Sequence, residues 1–136
     1  MEYIRILKNQ HVEILELVKE LSASLTDKKI SQNLPETYKL LSKLSERLLI
    51  HLKTEDNTLY LDLLENSDEK TKELLKKYSK DSSSLLEVYN DYLKHWPDVL
   101  IIQQRADEFI FNTEQIIGLI LDRIYNEENI LFPHLE

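Results

Sequence analysis

The stretch His51-Leu52-Lys53-Thr54-Glu55-Asp56-Asn57-Thr58-Leu59-Tyr60 decides how this chain is read. Traced backwards at intervals of three and four it joins Leu48, Leu44 and Leu41, and forwards it ends on Leu59. A helix with 3.6 residues per turn brings such positions onto one face. His51 and Glu55 therefore stand one turn apart on an otherwise apolar stripe. A polar pair on a stripe meant for the core needs partners, because burying an unpaired ionised group costs several kcal/mol or more.

Three further stripes supply candidates. One runs Ile4, Leu7, His11, Ile14, Val18, Leu21, Leu25; another runs Leu75, Tyr78, Ser82, Leu85, Tyr89, Tyr92. The last runs Phe109, Thr113, Ile116, Ile120, Arg123, Glu127, Leu131. Four helices follow. Helix 1 spans about Glu2 to Leu25 and stops at Thr26-Asp27-Lys28-Lys29. A linker through Asn33 leads to Pro35, which suits the first turn of helix 2. Helix 2 continues to about Glu65, and Ser67 in the turn Asn66-Ser67-Asp68 is the expected N-cap of helix 3. Helix 3 reaches His95, Trp96-Pro97-Asp98 breaks it, and helix 4 starts between Asp98 and Gln104 and ends at Phe132 before Pro133. The short connections predict an antiparallel up-down-up-down four-helix bundle, all-α, forming a single domain over residues 1–136.

Composition agrees. The chain has 136 residues, one glycine, three prolines and no cysteine. That excludes disulfide frameworks, thiolate metal sites and cysteine nucleophiles, and leaves little turn material. No stretch alternates in the manner of strands. The net charge of −8 argues against nucleic acid or an anionic membrane as partner. The amino terminus lacks the apolar run of a signal peptide, and the longest apolar stretches, Val99 to Ile102 and Ile116 to Leu121, are too short to span a bilayer. The expectation is a cytoplasmic protein.

At this point the chain resembles a known family, the hemerythrin-like or HHE cation-binding domains. Asn9-Gln10-His11-Val12-Glu13-Ile14 is similar to the family's helix-1 motif, and His51 to Tyr60 to its helix-2 His-x-x-x-Glu motif. Glu127-Glu128-Asn129-Ile130-Leu131-Phe132-Pro133 is similar to its helix-4 ending. The resemblance implies a four-helix bundle around a non-haem diiron centre, in which two histidines serve each iron and two glutamates bridge. His11, His51, Glu55 and Glu127 match that pattern. The helix-3 and helix-4 histidines do not: Ser82 and Arg123 stand at their places. The lost residues belong to one iron, so the diiron site is degenerate by half. A guanidinium at the second metal's place opposes another cation, since two cations roughly 4 Å apart repel strongly in a low-dielectric interior.

Three readings of the cluster follow. In the first, one divalent metal is held by His11, His51, Glu55 and Glu127; iron is the cofactor the resemblance implies, with manganese and zinc compatible. Glu128 or Asp56 then balances charge from outside the ligand set. In the second, no metal is bound: Arg123 bridges Glu55 and Glu127 and a protonated histidine completes the neutralisation, in a His/Glu/Arg salt-bridge network. In the third, two metals use unexpected oxygen ligands, Tyr78 and Asp81 being the nearest. His95 and His134 read as surface or end-cap residues, and the helix-3 tyrosines as core.

For function, the resemblance implies a metal-binding domain in a sensing, storage or stress-related role. Relatives bind dioxygen, handle nitric oxide or repair iron–sulfur clusters, but reversible dioxygen binding needs two irons, and the lost histidines speak against it. A metal-free interaction or signalling module is the alternative. No separate nucleophile or base marks the chain as an enzyme.

Overall fold

The computed structural model describes the backbone of residues 1–136 and the side chains of all but residues 27–29. Among the described residues every regular element is helical. Helix α1 spans Glu2–Ser24, α2 Asp27–Gln32 and α3 Leu34–Glu55, the last continued by π-helical turns over Asp56–Leu63. Helix α4 spans Glu69–His95, α5 Val99–Gln104 and α6 Ala106–Asn126. The last runs on through π-helical Glu127–Leu131 into α7, Phe132–Leu135.

The boundaries follow local chemistry, with some differences from expectation. The expected linker after helix 1 contains a further short helix, α2, and its side chains at 27–29 lie outside the described residues. The N-cap of α4 is Asp68 rather than Ser67: the Asp68 carboxylate accepts from the Thr71 backbone N–H at 2.8 Å. The Ser67 hydroxyl instead donates back to the Leu63 carbonyl. A carboxylate at that position also meets the positive end of the helix dipole. Helix α4 ends at His95 before Trp96-Pro97, and Asp98 caps α5 through the Ile101 N–H at 3.0 Å. Arg105 then separates α5 from α6, so the fourth long segment has a short preceding turn.

Every residue of the four stripes is buried, the polar ones included. The interior divides into two apolar regions. The larger gathers Ile14, Leu44, Leu48, Tyr89, Trp96, Phe109 and Ile120 with their neighbours. The smaller gathers Ile4, Leu7, Leu59, Leu75, Leu131 and Phe132. On α1, His11 falls between Leu7 of the smaller region and Ile14 of the larger; on α3, His51 falls between Leu48 and Leu59. Arg123 and Glu127 interrupt α6 in the same way, between Ile120 and Leu131. The polar residues thus form a layer between two hydrophobic regions, and low-dielectric packing on both sides strengthens each electrostatic contact within it.

Side-chain pairs align the long helices. Tyr3 donates to Asp62, Gln10 to Thr54, and Arg47 pairs with Glu13. Ser45 meets Tyr89, Tyr92 meets Thr113, and Lys8 pairs with Glu136. No helix among the described residues is long and apolar enough to cross a membrane.

Candidate metal centre

His11, His51 and Glu127 are brought together by three helices, α1, α3 and the end of α6. His11 Nε2 lies 2.7 Å from Glu127 Oε1 and 3.1 Å from His51 Nε2, and His51 Nε2 lies 3.2 Å from the same Oε1. Glu55 Oε2 is 3.6 Å from His51 Nε2. All four residues are essentially excluded from solvent.

The outer edges of the two rings decide what faces inward. His51 Nδ1 is 2.8 Å from Gln10 Oε1, and the Gln10 amide nitrogen donates to Thr54 Oγ1 at 3.1 Å. His11 Nδ1 is 2.6 Å from Glu128 Oε2. Both partners of Nδ1 are acceptors, so each Nδ1 carries hydrogen, and each Nε2 faces Glu127 Oε1. Two imidazole nitrogens and a carboxylate oxygen face one another at 2.7 to 3.2 Å. Such an arrangement requires a cation between them, a shared proton or a metal ion.

The opposite side of the layer is organised by Arg123. Its Nε donates to Glu127 Oε2 at 2.9 Å and its Nη2 lies 3.5 Å from Glu55 Oε1. Nη2 also donates to the Tyr60 hydroxyl at 2.8 Å, and Nη1 donates to the Tyr78 carbonyl at 3.0 Å. The guanidinium sits 5.2 Å from the centre of the Tyr78 ring, within cation–π range. Each glutamate therefore divides its oxygens: one towards Arg123, the other towards the histidine side.

These contacts set the charges. Burial pushes the Glu55 carboxyl well above its ordinary range, and the neighbouring Glu127 pushes it further; Arg123 offsets only part of this. Burial also works against ionised Glu127, yet Glu55, the hydrogen bonds from His11 and His51, and the Arg123 charge together hold it well below the usual carboxylate range. His51 is shifted down, chiefly by burial and against the pull of Glu127. For Arg123 burial opposes the charge, but Glu127 and Glu55 outweigh it and hold the guanidinium charged. Tyr60 is shifted up by burial and by Glu55.

A profile of the Hemerythrin HHE cation binding domain matches residues 3–135, nearly the whole chain. The chain belongs to this hemerythrin family. No curated protein and no solved structure matches it. Membership implies metal binding, and the His11, His51, Glu127 cluster offers a place for it.

The residues present in this HHE domain fit a metal ion on the histidine side. Metal–ligand bonds of about 2.1 Å set adjacent donors about 3.0 Å apart at right angles and about 3.4 Å apart at tetrahedral angles; the observed triangle has sides of 2.7, 3.1 and 3.2 Å. Glu55 Oε2 is buried and has no hydrogen-bond partner, an uncommon state that a metal bond relieves.

The remaining expectations divide into those met and those not. Asp56 and Asp81 are exposed, and the Tyr78 hydroxyl meets the Asn126 carbonyl rather than the cluster. Ser82 is buried on the stripe of α4, as its assignment to a lost histidine position requires. His95 and His134 are exposed and bond to the Asp91 carbonyl and Thr71 hydroxyl. Sequence reasoning missed Gln10 and Tyr60. Tyr60 follows Glu55 by five residues, the period of a π turn, and such turns begin directly after Glu55 and at Glu127. The wider turn buries the consecutive pairs Leu59–Tyr60 and Leu131–Phe132.

Proposed function

We propose that this hemerythrin-family chain is a single-domain, antiparallel up-down-up-down bundle binding one divalent metal through His11, His51, Glu55 and Glu127. The topology is supported by the pairs Tyr3–Asp62, Gln10–Thr54 and Glu13–Arg47, whose numbers run oppositely along α1 and α3. The observation that carries the metal reading is the convergence of three potential ligand atoms, His11 Nε2, His51 Nε2 and Glu127 Oε1, with the unpartnered Glu55 Oε2 beside them. The two nitrogens and two or more oxygens suit Fe(II), with Mn(II) and Zn(II) meeting the same donors. When bound, such an ion supplies a Lewis-acidic and, for iron, one-electron redox centre.

Arg123 takes the place of a second metal. It binds the outer oxygen of each glutamate, as one ion of a bridged pair would, and brings a fixed positive charge. One divalent ion and Arg123 against Glu55, Glu127 and Glu128 gives a neutral layer. A metal-free network, with a proton on a histidine Nε2 shared with Glu127, explains the Arg123 bridge equally well, but leaves Glu55 Oε2 without a hydrogen-bond partner. The bridge uses oxygens that the metal does not need, so the two arrangements are compatible. Reversible dioxygen binding as peroxide takes one electron from each of two irons, so a one-metal centre favours a sensing, storage or stress-related role in the cytoplasm over dioxygen carriage.

The test is metal content after anaerobic loading with Fe(II), Mn(II) or Zn(II). About one equivalent per chain is expected, with at least 100-fold weaker binding in His51→Ala. A chain that remains empty overturns the reading, and two equivalents overturn the role given to Arg123.

A further inference from the structure

The two histidines are held from behind by different kinds of acceptor, and the difference follows from the helices that carry them. Gln10 precedes His11 on α1 and reaches across to His51 on α3; its orientation is fixed because its amide nitrogen donates to Thr54 Oγ1, whose own hydroxyl donates to the Ile50 carbonyl. The Oε1 atom is then the only end of the amide left for His51. Glu128 reaches back to His11 from the π turn that also carries Glu127. Consecutive carboxylates thus grip the two nitrogens of one ring, Glu127 at Nε2 and Glu128 at Nδ1. Adjacent residues of an ordinary α-helix diverge more widely around the axis, and the π turn narrows that divergence. Phe132 stacks on the His11 ring, with centroids 5.5 Å apart and planes within 17°, and closes its face.

We propose that Gln10 and Glu128 are the positioning residues of the site, fixing both imidazoles with hydrogen on Nδ1, and that Glu128 additionally makes His11 the stronger donor. This rests on the metal reading for its consequence, but the ring state is a property of the protein alone. A carboxylate behind a ligating imidazole raises its basicity, whereas an amide only orients it. The two ligands are therefore inequivalent: His11 has a charged support and His51 a neutral one. Glu128 also completes the neutrality of a layer containing one divalent ion and Arg123. It is the group through which the outer surface reaches the centre, because its side chain is 37 % exposed while His11 is 0 % exposed.

Two measurements decide it. In metal-free protein labelled with 15N at histidine, imidazole nitrogen shifts should show hydrogen on Nδ1 of both His11 and His51; a ring with its only hydrogen on Nε2 overturns the proposal. Zn(II) affinity is then measured by competition with a chromophoric chelator. Glu128→Gln keeps an acceptor but loses the charge, so the His11 ring state should persist while affinity falls about tenfold. Glu128→Leu removes both, and the expected loss approaches about 100-fold with the Nδ1–H preference of His11 gone. Gln10→Leu should weaken binding about tenfold and release the ring state of His51 alone. Wild-type affinity in Glu128→Leu at unchanged stoichiometry overturns the proposal. A wild-type chain that takes up no zinc overturns the metal reading instead, and the ring states of the metal-free protein still decide the positioning role.

Discussion

The two sides of the polar layer share the same glutamates but solve opposite problems. On the α1/α3 side, His11 Nε2 and His51 Nε2 converge on one oxygen of Glu127, away from the oxygen that Arg123 binds. On the α4/α6 side, Arg123 meets both carboxylates with a cation that is part of the chain, and its remaining hydrogens go to the Tyr60 hydroxyl and Tyr78 carbonyl. One side offers a place for a guest, and the other is filled by Arg123. The solvent contacts differ in the same sense: a cavity of about 390 Å³ bordered by Tyr78, Leu85, Leu119 and Arg123 opens beside the guanidinium, whereas the histidines are sealed.

The largest effect should come from removing that cation. Arg123→Met leaves Glu127 as a buried charge without its guanidinium, and should destabilise the metal-free protein by about 3–5 kcal/mol in urea unfolding. Added metal should restore part of the loss, since a ligand bound only by the folded state stabilises it. Little change in stability would mean that the two sides are less different than their contacts suggest. Restoring donors tests the same contrast: Ser82→His combined with Arg123→His should raise metal uptake from about one equivalent to two, with an oxo-bridged diiron absorption after iron loading and air exposure. No second equivalent would remove Ser82 from the lost ligand position.

Glu55 separates the metal's demands from the fold's. Burial and the neighbouring Glu127 push its carboxyl well above the ordinary range, so the neutral isostere in Glu55→Gln should change unfolding free energy by less than about 1 kcal/mol. Metal affinity should fall at least tenfold, because an amide cannot supply the anionic ligand. Equal losses in both would place Glu55 in the framework only.

The last test lies away from the layer and serves as its control. Burial raises the Tyr89 hydroxyl to about 12 from an ordinary value of 10.0, with its hydrogen bond to Ser45 working the other way. A folded value above the unfolded one gives stability that is complete below pH 10 and is lost as pH rises towards 12. The loss should be on the order of 2 kcal/mol. Tyr89→Phe should cost about 1 kcal/mol at pH 8 and shrink the alkaline loss, read from urea midpoints, without altering metal stoichiometry.

How much was legible in the sequence can be judged residue by residue. The stripes were readable because apolar spacing is a local property of the helix, and all their members are buried, His11, Ser82, Thr113 and Glu127 among them. The break at Trp96-Pro97 was equally local. The choice of Asp68 over Ser67 as cap was not, since both are competent caps and only the backbone path selects one. Helix α2 and the π turns escaped for a similar reason: the sequence signals of a short helix or a one-residue widening are weak, and packing fixes them.

By itself the sequence determined the all-helical architecture, the family motifs and the set of groups that had to meet: two histidines, two glutamates and one arginine. Only the tertiary structure decided which atom meets which. It gave one oxygen of each glutamate to Arg123 and the other to the histidine side, turned both Nε2 atoms inward through Gln10 and Glu128, and brought Tyr60 to the guanidinium. The physical reason is that periodicity assigns a residue to a face, whereas a lone pair is directed by hydrogen bonds from other helices, residues far away in the chain.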